Sequence, residues 1–499
     1  MALAVTFGCG DDDGPATPVD AGGDTARVDT GPDIDTGVDA GPTGACEAAD
    51  LTTVYETPAD LPAFDDGERG RPIRCAQGET LSADTVNARA TEREYAGPAL
   101  TSGATTTVFS YRTTRASGVG ALATATLYVP DEPATSPMPL LVYAHPTSGI
   151  GDRCAPSRLR VVDLERALYP IVGSGQAVVV PDYTGLGTEG SPAWLVPEDE
   201  AFSVLDAARG ALTIAPEGTL SGEIFLAGHS QGGSAAMSAQ AFASTYAPEL
   251  DIVGVAPLAP VWIDTSAFGF MLFLSNYGLG EGEFDNIAFG SVYYIGHAAA
   301  YDGENVAFDM FAAATRDAIQ AHFESTCIDD DDWTSGLQAI GGTVGQLFDP
   351  AFRRSVGDCA SLGTCDDVGM TWSQRFGSDR PTLDNDGPPV WMLVGSTDRY
   401  ITSDRISCVI EDIRASGATL EACAYEGIDH NHIANVGGEW IVGWMNALRE
   451  GGSGEVPTCG DREISSCAPM GDGGVDAGPP AGDAGGPADA GPGGMDGGT

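Results

Sequence analysis

Gly228-His229-Ser230-Gln231-Gly232-Gly233 is the stretch on which the fold turns. It reads G-x-S-x-G, a pattern that a chain with 68 Gly meets easily by chance, so its flanks carry the information. Before it, Gly222-Glu-Ile-Phe-Leu-Ala227 is a short apolar run of β type. After it, Ser234-Ala-Ala-Met-Ser-Ala-Gln-Ala-Phe-Ala243 is small and helix-forming. Strand, sharp turn and helix are what a nucleophile elbow requires. Gly228 and Gly232 lack a Cβ, which lets strand and helix approach closely around a strained Ser230. This spacing predicts Ser230 exposed at the carboxyl end of the strand. It also predicts the backbone N–H of Gln231, at the helix N-terminus, facing a developing oxyanion. The competing reading is an ordinary strand-to-helix turn with a capping serine.

Outward from the elbow, apolar runs alternate with helical patterns. Thr105-Thr-Thr-Val-Phe-Ser-Tyr-Arg112 and Gly120-Ala-Leu-Ala-Thr-Ala-Thr-Leu-Tyr-Val-Pro130 predict an antiparallel hairpin. Pro139-Leu-Leu-Val-Tyr-Ala-His145 and Gln176-Ala-Val-Val-Val-Pro181 are continuous apolar runs, the mark of strands buried on both faces. Further strands are expected at 223–227, 252–257, 390–395 and 420–425. Helices are expected at 158–168, 198–214, 405–415 and 433–448, besides the one after the elbow. Residues 46–90 give no clear element. The pattern is α/β: a mostly parallel sheet with helices on both faces. Between 261 and 389 the alternation stops. Aromatic runs such as Phe268-Gly-Phe-Met-Leu-Phe-Leu274 and Val306-Ala-Phe-Asp-Met-Phe-Ala312 suggest an inserted helical cap, expected over 263–388, with a merely structural subdomain as the competing reading. The core is then 46–262 with 389–467.

The two ends differ from this core. Residues 1–45 and 468–499 are mostly Asp, Gly, Pro, Thr and Ala without apolar periodicity, and are expected to be disordered spacers. Net charge is −49; nine Asp against one Arg in 1–45 and five Asp in 468–499 leave −36 for the rest. Such a field repels phosphates and argues against a nucleic-acid partner. All 23 basic residues are Arg. The 11 Cys show no CxxC and no His spacing suited to zinc. An exported protein with this many dispersed Cys is expected to form disulfides. Short loops suggest Cys359–Cys365, Cys408–Cys423 and Cys459–Cys467, Cys154–Cys327 would join cap to core, and Cys75 would tie down the first segment. The odd one is Cys9. It follows a short apolar run and resembles the lipidated Cys of a bacterial lipoprotein start, which predicts an envelope anchor.

A serine hydroxyl needs a base, and the base an orienting carboxylate. Among the six His, His430 and His432 follow both the elbow and the late strand. His430, closing Tyr425-Glu-Gly-Ile-Asp-His430, is preferred as base over His432. Asp398, in Gly395-Ser-Thr-Asp398, falls just after the late strand and is preferred as the acid. Asp404 reads as a helix-terminal acid, and Asp384 and Asp386 as cap-side loop residues.

Leu140-Leu-Val-Tyr-Ala-His-Pro-Thr-Ser-Gly149 followed by Asp152-Arg-Cys-Ala-Pro-Ser157 resembles the HGTTG…CAPS stretch of the secreted, lipase-like branch of the α/β-hydrolases. Asp182-Tyr-Thr-Gly-Leu-Gly187, the elbow, Gly395–Asp398 and Gly427–His430 follow that family's order over about 100–450. The resemblance implies an α/β-hydrolase fold with a cap and no cofactor. It implies secreted or envelope-anchored lipases and esterases that act on acyl esters, with Ser230 as nucleophile, Asp398 as acid and His430 as base. Pro146 stands where the pattern has Gly. Proline has no N–H, so the second oxyanion donor beside Gln231 falls to Thr147. Competing functions are a serine peptidase or acyltransferase on the same fold, and a non-catalytic surface binding protein.

Overall fold

The computed structural model describes residues 45–58, 66–279, 284–450, 459 and 462–464. Cys9, both acidic spacers and Cys467 lie outside the described residues.

The chain opens with β1 (Glu47–Ala48), β2 (Pro72–Leu81) and α1 (Ala83–Glu92). The hairpin follows as β3 (Ala104–Thr114) and β4 (Gly120–Pro130). Then come β5 (Met138–Ala144), α2 (Val162–Gly173), β6 (Ala177–Pro181), α3 (Pro197–Ile214), β7 (Leu220–His229), α4 (Gln231–Tyr246) and β8 (Asp251–Leu258). Seven α-helices come next among the described residues: α5 (Ser266–Ser275), α6 (Phe284–Asp302), α7 (Arg316–Ser325), α8 (Trp333–Ile340), α9 (Val344–Leu347), α10 (Pro350–Leu362) and α11 (Asp367–Ser378). The chain then returns to the sheet as β9 (Val390–Gly395), α12 (Ser403–Ser416), β10 (Leu420–Tyr425) and α13 (Ile433–Arg449).

The sheet has ten strands in the order β1-β2-β3-β4-β6-β5-β7-β8-β9-β10. Pairing is antiparallel from β2 through β3 and β4 to β6, and parallel elsewhere. Every residue of β5, β6 and β9 is buried. Successive side chains of a strand point to opposite faces, so both faces of the sheet are covered at its centre. This is the mostly parallel α/β architecture that the continuous apolar runs predict. The helix after the elbow, α4, buries Ser234, Ala235, Ala236, Ser238 and Ala239; their small side chains let it lie close to β7 and β8. The helices between β8 and β9 bury an interior of their own around Tyr293, Tyr294, Phe311, Phe348 and Trp372, joined by Trp194 and Leu195 from the loop before α3.

Three local expectations fail, each for a visible reason. Residues 46–90 do hold elements. β2 buries only Pro72, Ala76 and Leu81 and is broken by register shifts against β3, and α1 buries only Val86 and Ala90; both patterns are too thin to read. The helix expected over 158–168 begins instead at Val162 and runs past Pro170 to Gly173. Ser157 is held in a turn by Asp182, and the Val162 N–H is capped from outside the helix by the Asp329 carboxylate (3.0 Å). Cys408–Cys423 and Cys459–Cys467 do not form. Ile464 N–H bonds to the Ala422 carbonyl, and Glu463 bridges to Cys423, so the C-terminal segment runs alongside β10 and brings Cys459 to Cys423. Cys408 is disulfide-bonded as well. The pairs Cys154–Cys327 and Cys359–Cys365 form as expected, and Cys75 ties down the first segment by pairing with Cys46.

Cys154–Cys327 closes 173 residues, and Cys359–Cys365 closes six. The loop-entropy argument makes the long closure worth roughly twice the short one, at about 5 kcal/mol. The Cys154→Ser/Cys327→Ser variant should therefore lose about twice as much stability in urea as Cys359→Ser/Cys365→Ser. Equal losses would show that the long bridge does not constrain the unfolded chain.

Candidate active site

Ser230 stands between β7 and α4 with φ 55° and ψ −116°, a strained conformation for a residue with a side chain. It is held there by its neighbours. The Ser230 N–H donates to the Leu258 carbonyl (2.9 Å), and the Ser230 carbonyl accepts from Val261 and Ser234 (3.2 Å each). A Cβ on Gly232 would lie 2.0 Å from the Ala144 carbonyl oxygen, and one on Gly228 would lie 2.3 Å from that of Gly232. Glycine at both positions is thus a steric requirement.

The late strands bring two more side chains to Ser230. β9 and β10 pair in parallel with Gly395 opposite Tyr425. Beyond them, Thr397 N–H donates to the Ile428 carbonyl (3.0 Å), and Gly427 N–H donates to Ser396 Oγ (2.9 Å). The two loops therefore leave the sheet together. Asp398 and His430 meet, with His430 Nδ1–H donating to Asp398 Oδ2 at 2.7 Å. His430 Nε2 is left as the acceptor for Ser230 Oγ–H at 3.0 Å. The other Asp398 oxygen accepts the Tyr400 and Ile401 N–H groups, both at 2.8 Å. Burial pushes the Asp398 carboxyl up, but His430 and these two amides outweigh it and hold its pKa below the usual carboxylate value. Such a chain lets the imidazole take a hydroxyl proton and keeps the resulting charge paired.

His229, which the sequence reading left without a role, holds this chain from behind. Its Nε2–H donates to the His430 carbonyl at 2.8 Å. Burial, reinforced by the His430 charge, lowers its pKa to about 3, so the ring stays neutral. Its place inside the elbow motif was the available signal. His432 lies apart, with Nδ1 against Asp429 (2.7 Å) and Nε2 against Glu94 (2.8 Å) at the start of α13. Asp384 brackets the Gln240 side chain with its backbone, in the loop before β9.

Gln231 is the first residue of α4, where a backbone N–H has no partner within the helix. Its side-chain Nε2 donates to buried Glu200 at 2.9 Å. Thr147 is buried, and its Oγ1 accepts from Trp194 Nε1 at 2.9 Å, which leaves the hydroxyl proton free to be aimed elsewhere. Ser230, His430, Pro146 and Thr147 open onto one cavity of about 1070 Å³. Trp194, Phe268, Met271, Leu274, Ile287 and Phe289 line its apolar side, and Asp163, Asp329 and Asp429 stand on another wall. Phe270 is on the wall as well. Phe273 stacks on Phe270 and meets the edge of Tyr277, while Leu272, Met310 and Phe311 belong to the buried interior of the insertion. Among the described residues, the group spaced for a metal is Glu421, Cys423 and Cys459, and the disulfide takes both sulfurs.

Residues 160–262 match the family model of secretory lipases. A Mycobacterium tuberculosis protein described as a probable inactive lipase is 35% identical over 169 residues, which is 32% of this chain and 37% of that protein. The match thus spans little more than a third of that relative's length. Candida antarctica lipase A superposes with a TM-score of 0.58 at 18% identity, over 82% of this chain and 87% of that one. The rice cell wall degrading esterase LipA of Xanthomonas oryzae does so with a TM-score of 0.58 at 20% identity, over 76% and 96%. The chain has the α/β-hydrolase fold of lipases and esterases, and its residues 160–262 carry the sequence pattern of secretory lipases.

Proposed function

We propose that the protein is a serine carboxylic ester hydrolase acting on acyl esters. The observation that carries this reading is the hydrogen-bonded chain Ser230–His430–Asp398 on a strained turn, at the wall of a cavity lined in part by apolar side chains of the insertion. Ser230 Oγ attacks the ester carbonyl carbon while its proton passes to His430 Nε2. Asp398 pairs the imidazolium that forms. The oxyanion meets the Gln231 N–H and Thr147. When the intermediate collapses, the carbon–oxygen bond to the alcohol breaks and His430 returns the proton to the leaving oxygen. Water, deprotonated by His430, then attacks the acyl-enzyme and releases the acid. None of these steps requires a metal or cofactor. The Mycobacterium relative bears the word inactive in its description; support for activity here is that all three side chains stand within hydrogen-bond reach.

Residues 263–388 serve in this reading as a cap, with α5 and α6 supplying the acyl-binding wall. The disulfides among the described residues suit an oxidising compartment, so the protein acts outside the cytoplasm. Its acidity disfavours a nucleic-acid partner.

Ser230→Ala should lower ester turnover by about 10⁴-fold or more with the fold intact. Asp398→Asn should cost about 10⁴-fold in kcat by imposing the wrong histidine tautomer, and His430→Ala a similar amount. His432→Ala should stay within about threefold, because its ring bonds to Asp429 and Glu94 away from Ser230. Steady-state kinetics on a p-nitrophenyl ester decide, and a His432→Ala loss as large as that of His430→Ala overturns the assignment.

Each methylene that enters an apolar pocket is worth about 0.8 kcal/mol, or up to about fourfold in kcat/KM. Across C2 to C12 acyl esters below their critical micelle concentrations, kcat/KM should rise until the cavity is full. Phe268→Ala should flatten that rise, and Phe273→Ala, off the wall, should not. A series that falls from C2 would make the enzyme a short-acyl esterase and remove the acyl role from α5.

A further inference from the structure

The first turn of α3 carries Glu198, Asp199 and Glu200. Asp199 has an ordinary structural role, accepting from Arg115 (2.9 Å) and from the Ala116 N–H (2.7 Å). Glu200 is different. It is 2% exposed, and one of its oxygens accepts two N–H groups, from Gln231 Nε2 and from the Leu195 backbone, both at 2.9 Å. Both donors lead to the oxyanion position. Gln231 follows Ser230 and begins α4. Leu195 has φ 60°, a costly conformation for a residue with a branched side chain. The residue before it, Trp194, donates its indole N–H to Thr147 Oγ1. The insertion presses on this loop from outside: a Cβ on Gly296 of α6 would lie 2.7 Å from the Trp194 nitrogen. The Trp194 ring also stacks on Phe289 of α6, with centroids 6.1 Å apart.

We infer that Glu200 is the positioning residue of the oxyanion hole. One buried carboxyl oxygen fixes Gln231 behind Ser230 and, through Leu195 and Trp194, the hydroxyl of Thr147. This rests on the hydrolase reading above. A carboxyl group in this place has to be neutral while the oxyanion forms. A negative charge one hydrogen bond from Gln231 opposes the charge that the Gln231 N–H stabilises, and it does so in a water-poor setting where the opposition is strong. Burial pushes the Glu200 pKa up to about 8, with the charges of Asp199 and Asp379 adding to it, while the Gln231 and Leu195 bonds pull the other way. Glu200 is thus protonated below that pH and charged above it. Of the other groups facing it, Asp379 at the end of α11 is raised by burial to about 7 and ionises first. Tyr183 is held well above the usual phenol value by burial and stays neutral. The enzyme should lose kcat as pH rises through about 8.

Glutamine keeps the size and the accepting oxygen of Glu200 but cannot ionise; alanine removes the oxygen. The test is kcat and KM of the full chain on a p-nitrophenyl ester from pH 6 to 9.5, with spontaneous hydrolysis subtracted. Three proteins are compared: parent, Glu200→Gln and Glu200→Ala. Glu200→Gln should hold kcat within about threefold of the parent at pH 6.5 and lack the parent's alkaline fall. Glu200→Ala should lose about 10- to 100-fold in kcat with KM within about threefold, since the interaction lost is one to the transition state. A Glu200→Gln protein with the parent's alkaline fall, or a Glu200→Ala protein with the parent's kcat, overturns the assignment. If circular dichroism shows the alanine variant unfolded, the pH profile of the glutamine variant decides alone. A parent without ester turnover, or a Ser230→Ala variant that keeps it, instead overturns the hydrolase reading and this inference with it.

Discussion

Three backbone segments meet at van der Waals distance around Ser230, and the rest of the site depends on that contact. β5 ends at Ala144 against Gly232, and Gly232 lies against Gly228 of β7. The elbow would open by more than an ångström if either glycine carried a side chain, because the opposing atoms are carbonyl oxygens that cannot rotate away. The bond from Ser230 N–H to Leu258 fastens the turn to β8. The strain at Ser230 is therefore over-determined from three strands and a helix, which is the condition under which a strained residue persists. His229 extends the same control to the base, since its ring nitrogen holds the His430 carbonyl. The side chains of Ser230 and His430 are thus oriented from one rigid corner.

The long insertion leaves the sheet after β8 and returns at β9, between the strand that braces Ser230 and the strand that carries Asp398. A chain that departs there has to come back at one fixed place, or Asp398 loses its position beside His430. The parallel pairing of β8 with β9 and the Ala259 N–H bond to Leu393 fix the return. Cys154–Cys327 fastens the insertion to the loop after β5, which also carries Thr147. Gly296 lets α6 lie on the loop of Trp194 without a side chain between them. The wall of the cavity and the surroundings of Thr147 are consequently parts of one packed unit, so a movement of α6 reaches Trp194 directly.

How much of this could be read from residues alone varied with the physics involved. The central strands were legible because every position in them is buried, and continuous apolar runs are rare outside such strands. That Ser230, Asp398 and His430 come together was legible for a related reason: each sits a few residues past a strong strand, so chain order and strand ends locate it. β2 and α1 were not, because edge elements that bury two or three side chains leave hardly any periodicity. The pairing of Cys423 with Cys459 was not either; it follows from a C-terminal segment that runs beside β10 through backbone hydrogen bonds, which depend weakly on side-chain type. Glu200 escaped notice because acidic residues open most helices, and only burial sets it apart from Glu198 and Asp199. The cavity-facing side of α5 was not legible either. α5 is apolar on all sides, so periodicity could not say which of its aromatic residues face the cavity.

Carboxyl groups make up most of this chain's charge, and the site works by separating them. Asp398 accepts from His430 and from two backbone amides; those donors offset its burial and keep it ionised, as a partner for an imidazolium must be. Glu200 and Asp379 are buried as well, but their hydrogen-bond donors are neutral amides or hydroxyls, so burial prevails over these bonds, and over the Arg380 charge at Asp379, and both are raised. Sequence cannot distinguish these cases, since each is an acid in a loop or near a helix end. The distinction lies in who donates. In the proposed hydrolysis, a cation that forms beside Asp398 calls for a charge. An anion that forms during the reaction, beside Gln231, calls for a neutral acceptor. In that proposal the same residue chemistry takes opposite protonation states on the two sides of Ser230.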